Sequence, residues 1–143
     1  MDKILCSACL LGISCRFDGK SKLNEKITAL AHTHILIPIC PEQLSGLPTP
    51  RPPSEILKKE VFNISGDNLS LSFEKGAEEV LKIAKLLNSK TAILKSRSPS
   101  CGKGEIYDGT FSSTVILGNG ITAQKLLDNG ILVYCEEEIG SLL

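Results

Sequence analysis

Four short apolar runs, Ile4-Leu5, Ile35-Leu36-Ile37-Pro38-Ile39, Thr91-Ala92-Ile93-Leu94 and Ile131-Leu132-Val133-Tyr134, alternate along the chain with segments of helical character. Strands that alternate with helices are covered on both faces, and their natural packing is a parallel α/β sandwich. The pattern predicts an α/β fold in which residues 1–143 form one domain: an open, mostly parallel sheet with flanking helices, Rossmann-like. A chain of 143 residues buries roughly two-thirds of the surface its unfolded form exposes, so its core needs no disulfide staples.

The clearest helix starts at Phe73, where Ala77, Val80, Leu81, Ala84 and Leu87 recur at helical spacing behind Ser72 as N-cap. A second runs from near Asn119 to Asp128 and stops at Asn129-Gly130, and a short one spans Glu25 to Ala31. Ile35–Ile39 is apolar on both faces, as an interior strand is, yet its Pro38 removes a ladder donor and favours an edge. Gly46 to Pro53 reads as a rigid loop, and Val61 to Leu71 as a small hairpin or irregular excursion with a turn at Gly66-Asp67-Asn68.

Lys plus Arg and Asp plus Glu balance at 16 each, so the long-range attraction that drives phosphate-backbone binding is missing. The expected partner is a small molecule rather than duplex nucleic acid or a membrane. No run is long and apolar enough to span a bilayer, and the apolar stretch before Cys6 and Cys9 is too short for a signal peptide. The six cysteines are expected to be reduced or ligated in the cytoplasm.

Cys9, Cys40 and Cys101 each lie just beyond a predicted strand, in Ser7-Ala8-Cys9-Leu10-Leu11-Gly12, Cys40-Pro41-Glu42 and Ser98-Pro99-Ser100-Cys101-Gly102. Carboxyl ends of parallel strands meet in one crevice, so these thiols can converge on one ligand. Each alone reads equally well as a small buried apolar residue. Pro41 and Pro99 suit first helical positions, whose N–H groups would face the crevice. Three thiols without a fourth ligand describe an open metal site, the kind Lewis-acid chemistry needs.

Cys6 and Cys9 also have redox-dithiol spacing, but Cys6 lies in a strand pattern and reads as core. Cys15 and Cys135 are spare thiols, Cys15 near enough in sequence to be an alternative ligand. Glu42, in the first turn of a helix beside Cys40, is the nearest candidate acid or base, with Asp18 and Glu55 weaker ones. Ser98 is an N-cap or a donor to substrate, and Lys95, Arg97, Arg16 and Arg51 form a cation set for a planar, partly anionic ligand. His32 and His34 fall at the amino end of the second strand, on the wrong side. Gly118-Asn119-Gly120-Ile121-Thr122-Ala123, followed by Glu136, fits a dinucleotide fingerprint but sits near the end of the chain, where a helix-start turn is the simpler reading.

These motifs, with Arg16-Phe17-Asp18-Gly19, Gly46-Leu47-Pro48-Thr49-Pro50-Arg51-Pro52-Pro53, Lys95-Ser96-Arg97 and Tyr107-Asp108-Gly109, resemble in order those of a bacterial family that includes the thiouracil desulfidases. The resemblance spans essentially the whole chain. It implies a 4Fe-4S cluster held by Cys9, Cys40 and Cys101, with the fourth iron open to the sulfur of a thiolated nucleobase or nucleoside. It also implies catalytic roles for Glu42 and Ser98. Phe17 stands where tyrosine is common, and Gln43 to Gly46 vary the usual segment; neither touches an implied ligand. The expected activity is non-redox removal of sulfur as hydrosulfide. The alternative is a non-catalytic iron-sulfur or zinc module that senses metal or redox state.

Overall fold

The computed structural model describes residues 1–142. Its centre is a parallel four-stranded sheet of β1 (Lys3–Ser7), β2 (Ile35–Ile39), β5 (Thr91–Leu94) and β8 (Leu132–Cys135) in the order β2-β1-β5-β8. The register runs Ile4 to Leu36, Leu5 to Ala92, and Ile93 to Tyr134. The chain moves outward from β1 to β2, then returns to the other side of β1 for β5 and β8. The carboxyl ends of β1 and β5 thus form a topological switch point, where such sheets bind ligands.

Alternation along the strands divides the core. Leu5, Ala92, Leu94 and Val133 face α3 (Ser70–Leu86) and α4 (Ile121–Asp128), meeting Val80, Leu81, Ala84, Ala123 and Leu126. Ile4, Cys6 and Ile93 point to the opposite face, covered by Leu10, Ile27 of α1 (Glu25–Thr28), Leu30 and Ile139. Cys6 is fully buried, which explains its place in the strand pattern.

The structure differs from the expected pattern at several elements. The strand Ile35–Ile39 lies at the edge of the sheet, not inside it, which is why Pro38 is tolerated. The helix after residue 69 starts at Ser70, and Ser72 makes no cap; instead the Asn68 side chain accepts from the Ser70 N–H at 2.9 Å. A hairpin of β3 (Ser54–Leu57) and β4 (Glu60–Asn63), turning at Lys58-Lys59, both with positive φ, precedes the expected turn at Gly66-Asp67-Asn68, which is present: Asn68 bridges Phe62 in antiparallel fashion and the Leu69 N–H donates to Val61 O. A second hairpin, β6 (Glu105–Tyr107) with β7 (Val115–Leu117), precedes α4. Ile56, Val61, Phe73 and Ile106 bind both hairpins to α3 in a satellite core.

Candidate active site

A crevice of about 720 Å³ opens at the carboxyl ends of β1, β2 and β5. Cys9 enters it from the single 3-10 turn after β1, Cys40 from the end of β2, and Cys101 from the loop beyond β5. The three thiols predicted from strand ends are therefore brought to one cavity. The two loops are tied together where the Lys95 N–H donates to Ser7 Oγ at 2.9 Å.

Cys15 is not spare. It is buried in the same wall, in contact with both Cys9 and Cys40, while Cys40 Sγ approaches the Cys15 carbonyl at 3.7 Å. The Cys15 contact, then burial, holds the Cys40 thiol well above the usual range. Burial pushes Cys101 up to about 12, against the lowering effect of the Ser7 and Ser100 hydroxyls. Cys135, at the end of β8, lies outside the cavity lining, and the amino-end histidines lie far from it, as expected.

Glu42 sits in the first turn of α2 (Pro41–Leu44), with Pro41 at the first helical position. Its carboxylate is held at both oxygens. Arg51 Nε donates to Oε1 at 2.9 Å, and Ser100 Oγ donates to Oε2 at 2.9 Å. The Arg51 side chain, only 5% exposed, also donates to Thr49 Oγ1 and to the carbonyls of Pro48 and Cys15. Arg51 is thus an internal clamp rather than the substrate-binding cation expected from its loop. Lys95 is likewise committed, to Glu136 at 3.0 Å, and Arg16 to Asp18 at 3.5 Å, which leaves Arg97 exposed at the crevice. Glu55 Oε1 accepts the N–H groups of Gly109 and Phe111, so it shapes the loop that brings Phe111 to the cavity.

Ser98 does not begin a helix. Its Oγ accepts from the N–H of Ser100 at 3.1 Å and of Cys101 at 3.0 Å, closing a single turn, so those N–H groups are not free donors to the crevice. The Ser98 hydroxyl lies 2.9 Å from that of Ser100. Ser100 escaped sequence reasoning, because its partner Glu42 is 58 positions away.

The dinucleotide fingerprint is put to another use. Gly120 packs on the backbone of Ser98 and Ser100, and the first N–H groups of α4 donate to this turn: Ile121 to Pro99 O, Thr122 and Ala123 to Ser100 O. Donors a pyrophosphate would need are spent, and the preceding strand belongs to an antiparallel hairpin rather than a βαβ unit.

Cys9, Cys15, Cys40 and Cys101 bring soft thiols to the crevice wall and no histidine lines it, a donor set that suits iron-sulfur ligation. Among the described residues no three Cys, His, Asp or Glu side chains stand ready to hold a single metal ion. The fit therefore rests on donor chemistry and on the convergence of the thiols.

Fold and crevice together define an α/β enzyme with a thiol-lined site at its switch point and a clamped carboxylate beside the thiols. The family model of the 2-thiouracil desulfurases matches residues 4–138, and the chain belongs to that family, a family of enzymes. It is similar to a Bacillus subtilis protein, the uncharacterized protein YbbK, with 39% identity over 150 residues that cover 98% of this chain and 99% of the relative. Among solved structures it is similar to the [4Fe-4S]-dependent thiouracil desulfidase TudS, at 40% identity and a TM-score of 0.94, over 99% of this chain and 95% of the other. That match bears out the expected α/β fold. No helix among the described residues is long and apolar enough to cross a membrane.

Proposed function

We infer that this chain removes sulfur from a thiolated nucleobase or nucleoside of the 2-thiouracil type, giving the oxo form and hydrosulfide without redox change. The observation that carries the reading is the Glu42 carboxylate, fixed by Arg51 and Ser100 in the crevice that Cys9, Cys40 and Cys101 share. Cys9, Cys40 and Cys101 would hold a 4Fe-4S cluster with one open iron. Such a cluster supplies a Lewis acid for the thiocarbonyl sulfur. Glu42 takes a proton from the attacking water, and Arg51 keeps its carboxylate aimed while doing so. Phe111 and Tyr107 offer apolar faces to a planar ring, and Arg97 offers a charge at the mouth. A sensing module has no use for a clamped carboxylate, so that alternative is not favoured. A reducing cytoplasm suits unpaired thiols of this kind.

The test is anaerobic reconstitution with iron and sulfide, followed by assay of sulfide release from a panel of thio-bases and thio-nucleosides. Cys9→Ala, Cys40→Ala and Cys101→Ala are each expected to lose iron and activity, and Glu42→Ala to keep iron and lose turnover. A full iron complement in Cys101→Ala would refute the ligand assignment.

A further inference from the structure

Three oxygen-bearing side chains form an unbroken line along one wall of the crevice: Glu42 Oε2, Ser100 Oγ and Ser98 Oγ, with 2.9 Å at each step. Both ends of the line are anchored, the Glu42 carboxylate by Arg51 Nε at its other oxygen, Oε1, and Ser98 Oγ by two N–H groups of its own turn. What remains free to move is the hydrogens. An ionised carboxylate only accepts. With Glu42 ionised, Ser100 must therefore donate to it and Ser98 must donate to Ser100, so both hydroxyls point toward the carboxylate.

When Glu42 gains a proton, the line reverses. The acid donates to Ser100, the Ser100 hydrogen turns to Ser98, and the Ser98 hydrogen is released toward the cavity. We propose that Ser100 is a proton relay between Glu42 and Ser98, through which the proton taken from the attacking water is returned to the departing sulfur. Ser100 acts through its neighbours and is a positioning residue; it is buried, yet it borders the crevice. This rests on the desulfuration reading above.

The balance closes without an oxidant or reductant. Water loses one proton to Glu42 as its oxygen bonds to the thiocarbonyl carbon. Glu42 passes a proton to Ser100, Ser100 to Ser98, and Ser98 to the sulfur, which leaves with the electron pair of the carbon–sulfur bond. The second water proton goes to solvent. Thiocarbonyl plus water gives carbonyl plus hydrosulfide plus one proton.

Ser100 Oγ also lies 3.7 Å from Cys101 Sγ, so its loss could act on the thiol instead. Iron and sulfide content separates the two, since only an effect through Cys101 would change them. The experiment uses the anaerobically loaded protein with 2-thiouracil. Ser100→Ala is expected to keep wild-type iron and sulfide and a KM within about twofold, and to lose roughly 100-fold in kcat. Ser100→Thr, which retains the hydroxyl, is expected to regain most of that loss. In mixtures of light and heavy water, the single-turnover rate of the wild-type protein should follow a curve, because several protons move together, and that of Ser100→Ala a straight line. A straight line for the wild-type protein overturns the relay, and this measurement stands even where Ser100→Ala fails to fold. Wild-type kcat in Ser100→Ala also overturns it, while sulfide release keeps the function. A loaded wild-type protein that releases no sulfide from any thio-base overturns function and relay together.

Discussion

The turn that carries Ser98, Ser100 and Cys101 leans on Gly120, and Gly120→Ala measures how much. An added Cβ would lie 2.6 Å from both the carbonyl carbon and oxygen of Ser100, and 2.8 Å from the Ser98 oxygen. Carbon contacts settle at roughly 3.5–4.0 Å, so α4 or the turn must move by about 1 Å. All three neighbours are backbone atoms, and no side-chain rotation relieves them. The backbone at Gly120, φ −63 and ψ 161, is open to alanine, so conformation is not what costs. Overpacking of this kind costs about 1–3 kcal/mol. Alanine is also the poorer N-cap, by about 0.5–1 kcal/mol, which the stiffer unfolded chain offsets by a similar amount. The net loss of about 1–3 kcal/mol lowers the urea midpoint by roughly 1 M. A shift of about 1 Å in the turn should cost about 100-fold in turnover. Urea unfolding, iron analysis and sulfide release measure all three, with Gly140→Ala, where the added carbon meets open space, as the control. An unchanged midpoint with full turnover would refute the idea that α4 positions this turn.

Other perturbations separate the parts of the site. Arg51→Met removes one partner of a buried ion pair and should destabilise by about 3 kcal/mol in urea unfolding, and Arg51→Lys should not restore it, because one ammonium cannot serve four acceptors. Cys15→Ala should retain full iron; if it empties the site as Cys9→Ala does, the three-ligand assignment is wrong. For Glu136, burial pushes the carboxyl up, but Lys95, its own backbone and the Ser96 N–H outweigh this and hold it below the usual value of 4.5. A depressed folded-state pKa means that Glu136 adds stability above about pH 4.5 that is lost as the pH falls toward its folded value. Urea midpoints measured from pH 7 downward should drop less for Glu136→Gln than for the wild-type protein.

What was legible in the chain was local. The apolar runs at Ile35–Ile39 and Thr91–Leu94 became β2 and β5 over the residues expected, and the periodic residues from Phe73 to Ala84 became the buried face of α3. Thiols just past strand ends were visible for the same reason. The hairpin turn at Lys58-Lys59 was not, because lysine carries no preference for positive φ and tertiary packing against Phe73 decides it. Arg51 illustrates a different limit. A cation in a proline-rich loop looks solvated until the fold brings Glu42 and two carbonyls to it. Ser100 was hidden likewise, since a hydroxyl shows its partner only in three dimensions.

Pro38 has a bearing beyond fitting its own strand. An outermost strand offers a row of open backbone groups on which a strand from another molecule can nucleate, and apolar residues such as Ile35 make that row adhesive. By withholding one amide hydrogen at the fourth of the five residues of β2, Pro38 interrupts the row. The chain thus carries a built-in guard against self-association at high concentration, and Pro38→Val, though friendlier to strand geometry, should aggregate sooner in light-scattering measurements.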